Sequence, residues 1–433
     1  MNDEWERALF IVHRSAFYAE EVVMTVSLAD IQAARRMLRG VINTTPLLVD
    51  ERLADDLGAR VFLKAENTQR SGSFKIRGAY NTIARLAPEE RARGVIAHSA
   101  GNHAQGVALA ARLLGIPATI VMPERAPLTK VAATRRLGAE VLLHGATFDD
   151  AGALARSLQQ ERGLTYVHAF NDERVIAGQG TIGLEIVEEL PNLALAVVPI
   201  GGGGMIGGIA LAVKALMPDV RIVGVQAAGC AAVPASLAAG QPVMAPAART
   251  IADGIAVKRP GDLTLPIIRE LVDEVVTVDD DEISRGIAHV VQNTKQVVEG
   301  AGAAGVAALL SGKIVPRAGE TVCVVMGGGN IDGNLLARVI EQVLVKQGRY
   351  ILLRTTVDDR PGNLAPLVDH VAKAGANVVD VFHRRAAWLV PVDRVGIEMV
   401  LEVRDEAHGQ AVVRSLNEAG YVVDREGQGV WPG

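Results

Sequence analysis

Cysteine is nearly absent. The 433 residues hold two, Cys230 and Cys323, set far apart and in no metal-binding or redox spacing. A reducing cytoplasm is the compartment this suggests. Long basic runs are missing too, and the net charge is −5. That balance argues against nucleic acid or an anionic membrane as the main partner. The N-terminus lacks the pattern of a signal peptide: Asp3, Glu4 and Glu6 stand where positive charge belongs, and Glu20 and Glu21 follow the short apolar run. Leu193–Val213 is uncharged and long enough to resemble a membrane span. Pro199 and Gly201–Gly204 break it, and strand–turn–helix describes it better. Aromatic residues make up only 3% of the chain, so its cores must be built from aliphatic side chains.

Glycine is abundant, with 45 residues, and 49% of the chain is apolar. That combination suits an α/β protein whose parallel strands are buried on both faces, and the length allows two or three domains. Residues 1–26 read as an N-terminal extension, with Met24 a candidate start. Ser27 and Asp30 form a helix-start pattern after it. From Val61 to Met326 strand-like runs alternate with helical ones. The strands are Val61–Lys64, Gly94–His98, Ala118–Met122, Val141–His144, Ala196–Ile200, Arg221–Val225 and Thr321–Met326. The helical patterns include His103–Leu114, Leu128–Leu137, Phe148–Glu161, Thr181–Leu190 and Gly207–Met217. Right-handed βαβ units follow. The units up to about Phe170 are expected to form one lobe and the later ones a second, with a cleft between them at the carboxyl ends of the strands. This catalytic region is assigned to residues 27–344. After a linker at Gln347-Gly348, residues 349–427 read as βαββαβ, a ferredoxin-like module.

Three glycine-rich turns and one lysine carry the chemistry. In Ser73-Phe74-Lys75-Ile76-Arg77-Gly78-Ala79 a lysine sits among apolar neighbours at a helix start. Desolvation and the helix dipole there can lower the pKa of its amine, as a nucleophile or imine-forming lysine requires. Gly201, Gly202, Gly203, Gly204 and Met205 follow an apolar strand and open a helix, a cradle for a phosphate. Gly202, Gly204 and Gly207 also match the dinucleotide fingerprint, but the next strand ends in Gln226-Ala227-Ala228 without the acid a ribose needs. Ser99, Ala100, Gly101, Asn102 and His103 make a second strand-to-helix turn, a nest for a carboxylate, with Asn102 able to donate to a phenolate-like oxygen. His103 suits packing or capping better than catalysis. Gly327-Gly328-Gly329-Asn330 lets a flat ligand approach the backbone closely. An imine lysine, a phosphate cradle, a carboxylate nest and a flat-ring site together describe pyridoxal 5′-phosphate and an amino acid.

Ser73–Ala79, Ser99–Gly106, Ala177–Gly183, Gly201–Met205, Val298–Ala303 and Gly328–Asp332 resemble, in that order, the motifs of threonine ammonia-lyases (threonine dehydratases). These are pyridoxal-phosphate enzymes of the tryptophan-synthase-β type, fold type II, and the resemblance spans roughly Ser27–Leu344. It implies that Lys75 attaches the cofactor, flanked by Phe74. Gly201–Gly204 and Met205 would hold the phosphate, Asn102 would bond the ring hydroxyl, and Glu299 would lie near the ring. Ser99–His103 would take the substrate carboxylate. Where many members place a serine against the pyridine nitrogen, this chain has Gly327, with no acid in its place, which favours expelling a β-leaving group over long-lived carbanion chemistry. Serine racemases of this fold carry a serine at the position of Ala100. They also bind a divalent cation through acids after the strand equivalent to Arg221–Val225. Gln226–Ala235 holds no carboxylate, so no metal site is expected.

The tail, with Asp358, Asp359, Arg360, Pro361, Gly362, Asn363 and Leu364, resembles an ACT domain, an amino-acid-binding regulatory module that pairs with copies from other subunits. An effector at Asp359, Pro361, Gly362, Asn363 and Leu364 and a homo-oligomer, dimer or tetramer, follow from that resemblance. The expected reaction is deamination of L-threonine to 2-oxobutyrate and ammonia, with L-serine as a further substrate. Another β-elimination enzyme or a racemase of the same fold is the near alternative, and a non-enzymatic amino-acid sensor a remote one.

Overall fold

Ala118–Met122 and Thr321–Val325 are buried at every position, as largely apolar runs are when helices cover both faces of a sheet. The computed structural model describes residues 24–384 and 393–425. Expectations for residues 1–23 lie outside them. The chain divides into two units, Met1–Asp332 and Gly333–Gly433.

The first unit contains β1 (Leu47–Val49), β2 (Arg60–Lys64), β3 (Val95–His98), β4 (Ala118–Met122), β5 (Glu140–Leu143), β6 (Thr165–Tyr166), β7 (Leu193–Pro199), β8 (Arg221–Ala227), β9 (Glu274–Val278) and β10 (Thr321–Val325). They form two sheets, β5-β4-β3-β6 and β1-β2-β10-β7-β8-β9. All pairings are parallel except β1 with β2. Two expectations change. β1 makes the larger sheet mixed. β2, expected in the earlier lobe, joins the later sheet, paired with β10 from Arg60↔Thr321 to Lys64↔Val325. That register lays the chain after β2 beside the chain after β10: Ser73 bridges Gly328, and the Phe74 amide donates to the Gly327 carbonyl at 3.1 Å.

Leu193–Val213 resolves into β7, the glycine turn and a helix over Gly204–Leu216. No helix among the described residues is long and apolar enough to cross a membrane. The helix expected at Thr181–Leu190 begins at Glu173, capped by Asp172. Gly178, Gly180 and Gly183 fall inside it, where glycine weakens a helix. Close packing requires them: a Cβ on Gly180 would lie 2.8 Å from the Gly208 carbonyl oxygen, and one on Gly208 would lie 2.3 Å from that of Ile176. Cys323 in β10 and Cys230 after β8 are both buried and unbonded to each other. Burial raises both thiols, Cys323 to about 12.

A charged network lies under the lysine segment. Arg77 is fully buried and meets two carboxylates, Glu66 at 2.8 and 2.9 Å and Glu185 at 2.6 and 3.0 Å. Burial opposes its charge, but Glu66 and Glu185 outweigh burial and raise its pKa. Lys64, also fully buried, bonds the Thr45 carbonyl at 2.6 Å and pairs with Glu185 at 2.9 Å and Glu189 at 3.1 Å. Strand β2, the helix Lys75–Ile83 and the helix Glu173–Glu189 are thereby tied together.

The second unit opens with the helix Gly333–Lys346, closed by Gln347 and Gly348 in backbone bonds to Val343 and Val345. Then come β11 (Tyr350–Asp358), the helix Leu364–Lys373, β12 (Asn377–Arg384), β13 (Arg394–Glu402), the helix Glu406–Glu418 and β14 (Asp424–Arg425). The antiparallel sheet runs β12-β13-β11-β14, the βαββαβ order read from the sequence. Burial alternates along β11, and Leu353, Leu367, Val371, Met399 and Leu416 form the core beneath it. The last strand, expected at Tyr421–Asp424, pairs only at Asp424 and Arg425. Val422 instead turns its carbonyl to the Thr355 hydroxyl, 2.8 Å away.

Glu66→Ala leaves Arg77 without one of its two carboxylates in a site closed to water. The expected loss of stability is about 3–5 kcal/mol, measurable as a lower denaturant midpoint for the first unit. A substitution of the exposed pair Arg52–Asp56 should change it by under about 1 kcal/mol.

Candidate active site

The segment before the lysine reverses direction through two consecutive left-handed residues, Ser71 (φ 67°) and Gly72 (φ 72°). The bridge to Gly328 then sets Lys75 as the first residue of its helix. The Lys75 Nζ donates to the Ala169 carbonyl at 3.1 Å and lies 5.0 Å from the centre of the Phe74 ring. Burial lowers its pKa to about 8, and the charge of Glu299 works in the other direction.

Glu299 sits at the N-terminal edge of the helix Gly300–Leu310, buried. Desolvation pushes its carboxyl up to about 7, with Asp253 adding to the rise and Lys130, Asn102 and Lys75 opposing it. Asn102 donates to Glu299 Oε1 at 2.6 Å and accepts from Asn330 at 2.7 Å; Asn330 also donates to the Ser71 carbonyl at 2.8 Å. One chain of amides therefore joins the lysine turn, the Ser99–His103 turn, the Gly327–Asn330 turn and Glu299. The Asn102 donor expected to face a ring hydroxyl is engaged with Glu299 here.

The glycine loop follows β7. Gly203 is left-handed (φ 97°), and a Cβ there would lie 2.7 Å from the Thr264 hydroxyl. That hydroxyl donates to the Gly202 carbonyl at 2.6 Å. The Phe170 ring covers Gly202 so closely that a Cβ would meet it at 2.4 Å. Among the described residues, the amides of Gly201, Gly202 and Gly203 donate to no backbone carbonyl, and Gly204 and Met205 begin a helix whose first amides are free by construction. The loop is a cradle of N–H groups suited to an anion.

In the Ser99–His103 turn, the Ser99 hydroxyl accepts from the Gly101 amide at 3.2 Å, and a Cβ on Gly101 would meet nothing within 4 Å. The His103 side chain is buried away from this opening, 2.9 Å from the Val167 carbonyl. Burial and then the Lys75 charge lower its pKa to about 3, so it is neutral. Its part in the turn is backbone.

Gly327 and Gly328 differ. A Cβ on Gly327 would stand 3.4 Å from both Met205 Cε and Phe74 Cδ1, ordinary contact, whereas one on Gly328 would stand 2.5 Å from Glu299 Oε1. Met205, Phe74 and Gly327 thus converge on one side, and Asn102, Glu299 and Gly328 on another. A part-buried amine, a cradle of free amides and glycine walls fit a phosphorylated aldehyde with a flat ring. His168 was not singled out in the sequence, having no spacing to mark it. Its Nδ1 accepts from the amides of Phe170 and Asn171 at 3.2 and 2.8 Å, which leaves the ring proton on Nε2. Burial lowers it to about 4, with the charges of His98 and Lys75 acting in the same direction.

In the second unit, Asp359, Pro361, Gly362, Asn363 and Leu364 form the turn between β11 and the next helix. Asn363 donates to the Asp358 carbonyl at 3.2 Å, the Asp359 amide donates to that of Asp393 at 3.0 Å, and Gly362 is left-handed (φ 96°) with open space around it. Among the described residues no cluster of side chains could hold a metal ion.

A family profile described as "Pyridoxal-phosphate dependent enzyme" matches residues 38–328. An L-threonine ammonia-lyase of Thermotoga maritima is 50% identical over 398 residues, 92% of this chain and 99% of its own. That match is longer than the first unit, Met1–Asp332, and so extends into the second. Threonine deaminase isoform 2 from Solanum lycopersicum superposes with a TM-score of 0.69 at 40% identity, covering 72% of this chain and 91% of that one. Maize serine racemase superposes with a TM-score of 0.70 at 36% identity, covering 74% and 98%.

Substitution of the two neighbouring glycines should separate them. Gly327→Ala is expected to leave the thermal transition nearly unchanged. Gly328→Ala drives a methyl into the Glu299 carboxyl and should lower stability by about 1–3 kcal/mol, read from the melting curves of the two variants.

Proposed function

Because the chain belongs to the family of pyridoxal-phosphate dependent enzymes, we propose that it is a threonine ammonia-lyase, converting L-threonine to 2-oxobutyrate and ammonia and L-serine to pyruvate and ammonia. The observation that carries this is the part-buried Lys75 amine bonded to Ala169, whose neighbour Phe170 packs on the glycine cradle, in a chain half identical to an L-threonine ammonia-lyase over nearly its whole length.

Pyridoxal phosphate, when bound, supplies an electron-withdrawing ring that acidifies the α-hydrogen of an attached amino acid. Lys75 would attach it, the amides of Gly201, Gly202, Gly203, Gly204 and Met205 would hold its phosphate, and the second N–H of Asn102, whose first is on Glu299, would be the donor to its ring hydroxyl. Phe74 and Gly327 would line the ring, with Glu299 nearby. The Ser99–His103 turn would bind the substrate carboxylate through the amides of Ala100, Asn102 and His103 and the Ser99 hydroxyl, with Gly101 leaving it room. Held near a pKa of 8, Lys75 is a free base at mildly alkaline pH, where an ordinary lysine is charged, and it accepts the α-proton. General acid–base help of this kind is worth about 10²–10⁴-fold. The β-hydroxyl leaves with a proton as water; the released enamine tautomerises to an imine, whose hydrolysis consumes one water and yields the ketoacid and ammonia.

Racemisation needs a second proton carrier on the opposite face of the substrate. Ala100, beside the open position at Gly101, has no proton to give, which favours the lyase over the racemase reading. The retained lysine and cradle weigh against a non-enzymatic sensor.

Residues 27–344 are proposed as the catalytic region and residues 349–427 as an ACT regulatory domain in a cytoplasmic homo-oligomer. The turn at Asp359, Pro361, Gly362, Asn363 and Leu364 would take an amino-acid effector. Regulation requires a coupling free energy between the two sites, so an effector must change both threonine binding and its own binding when threonine is present.

The purified protein should absorb near about 410–420 nm and form 2-oxobutyrate from L-threonine. Lys75→Ala should lose the band and nearly all turnover. A band without ketoacid would shift the reading to another substrate or to racemisation; no band after added cofactor would remove the enzyme reading. Calorimetric titration of amino acids into the full chain and into an Asn363→Ala variant tests the effector site. Equal binding by both would place any effector elsewhere.

A further inference from the structure

Lys130 lies on the helix Leu128–Arg136, in the lobe built on β5-β4-β3-β6. Its largely buried side chain donates to Asp253, which opens the short turn Asp253–Ile255 between β8 and β9, on the other sheet. The pair spans the two lobes. Elsewhere the turn is packed against its own side. The Ile251 amide just before it donates to Asp280 at 3.1 Å, and a Cβ on Gly300 would lie 2.9 Å from the Ala252 Cα.

The next two residues of the turn reach the site. A Cβ on Gly254 would stand 3.0 Å from Glu299 Oε1, so this backbone lies directly against the carboxyl. A Cβ on Gly201, the first residue of the anion cradle, would stand 3.3 Å from the Ile255 Cα. A single turn therefore touches the opposite lobe through Asp253, the carboxyl through Gly254 and the cradle through Ile255.

We propose that Lys130 and Asp253 are positioning residues that set the charge of Glu299: their ion pair clamps the turn against the carboxyl and places one positive and one negative group beside it. Glu299 is faced by the charges of Asp253, Lys130 and Lys75 and by the amide of Asn102. Burial, the largest influence, and Asp253 favour the neutral acid, and the other three favour the carboxylate. Near neutrality the balance between them decides whether Glu299 donates or accepts a hydrogen bond in the site. The consequence for catalysis rests on the lyase reading; the balance of charges does not.

The two members of the pair act on Glu299 with opposite sign, which distinguishes this role from a mechanical tie. The titration of Glu299 can be followed in the full chain, without cofactor or substrate, by the infrared carbonyl band of its protonated carboxyl, assigned by its loss in Glu299→Gln. Lys130→Met should raise the pH at which the band disappears and Asp253→Asn should lower it, each by up to about one unit, while Lys130→Arg should leave it in place. A mechanical tie alone predicts that both neutral variants move the band the same way. That result, or no movement in either variant, overturns the proposal. Because the measurement needs no turnover, failure to deaminate threonine would count against the proposed reaction and leave this result intact.

Discussion

A guanidinium sealed from water holds the first unit's site together. Arg77 is two residues beyond Lys75, and its side chain points away from the site into protein, where Glu66 and Glu185 grip it from two directions. Such a charge is tolerable only while every partner is present, because an uncompensated buried ion is far less stable than the pair. Lys64 adds a second cation that shares Glu185. The strand before the lysine and the two helices behind it are therefore fixed relative to one another by charges that cannot relax separately. The lysine amine inherits a defined position from a network it does not touch.

The second constraint is the pairing of β2 with β10. It sets two turns side by side, one carrying Ser73-Phe74-Lys75 and the other Gly327-Gly328-Gly329-Asn330. The amide chain from Asn330 through Asn102 to Glu299 then closes the gap to the smaller sheet. Parts of the chain 197 and 228 residues apart meet through hydrogen bonds between side chains of modest size.

Much of this was readable in advance. Largely apolar runs such as Ala118–Met122, short and rich in β-branched residues, read as buried strands and are buried throughout. The Ser27–Asp30 capping pattern forms in full, with each side chain bonded to the other's backbone. The turns bearing Asn102, Gly201 and Gly327 all follow strands, as the sequence pattern indicated. The rest depended on tertiary partners. No local pattern says that β2 pairs with β10 rather than with β3, since strand order is set by long-range packing. Glycines at 178 and 180 shortened the expected helix because their reason, contact with another backbone, lies outside the segment. The partner of Asn102 was missed for a related cause: Glu299 stands 197 positions away. The resemblance set Gly327 apart as the place of a missing serine, but the tight fit of Gly328 against Glu299 shows only when the atoms around it are known.

The two cysteines have a practical meaning apart from catalysis. Both lie under strands and turns of the first unit, and burial holds their thiols protonated. A thiol reagent meets only thiolate that is exposed, so the folded unit is silent to it, and Cys323 reacts only when the central strand β10 comes free. Alkylation of Cys323 is then a clock for release of β10 from the larger sheet.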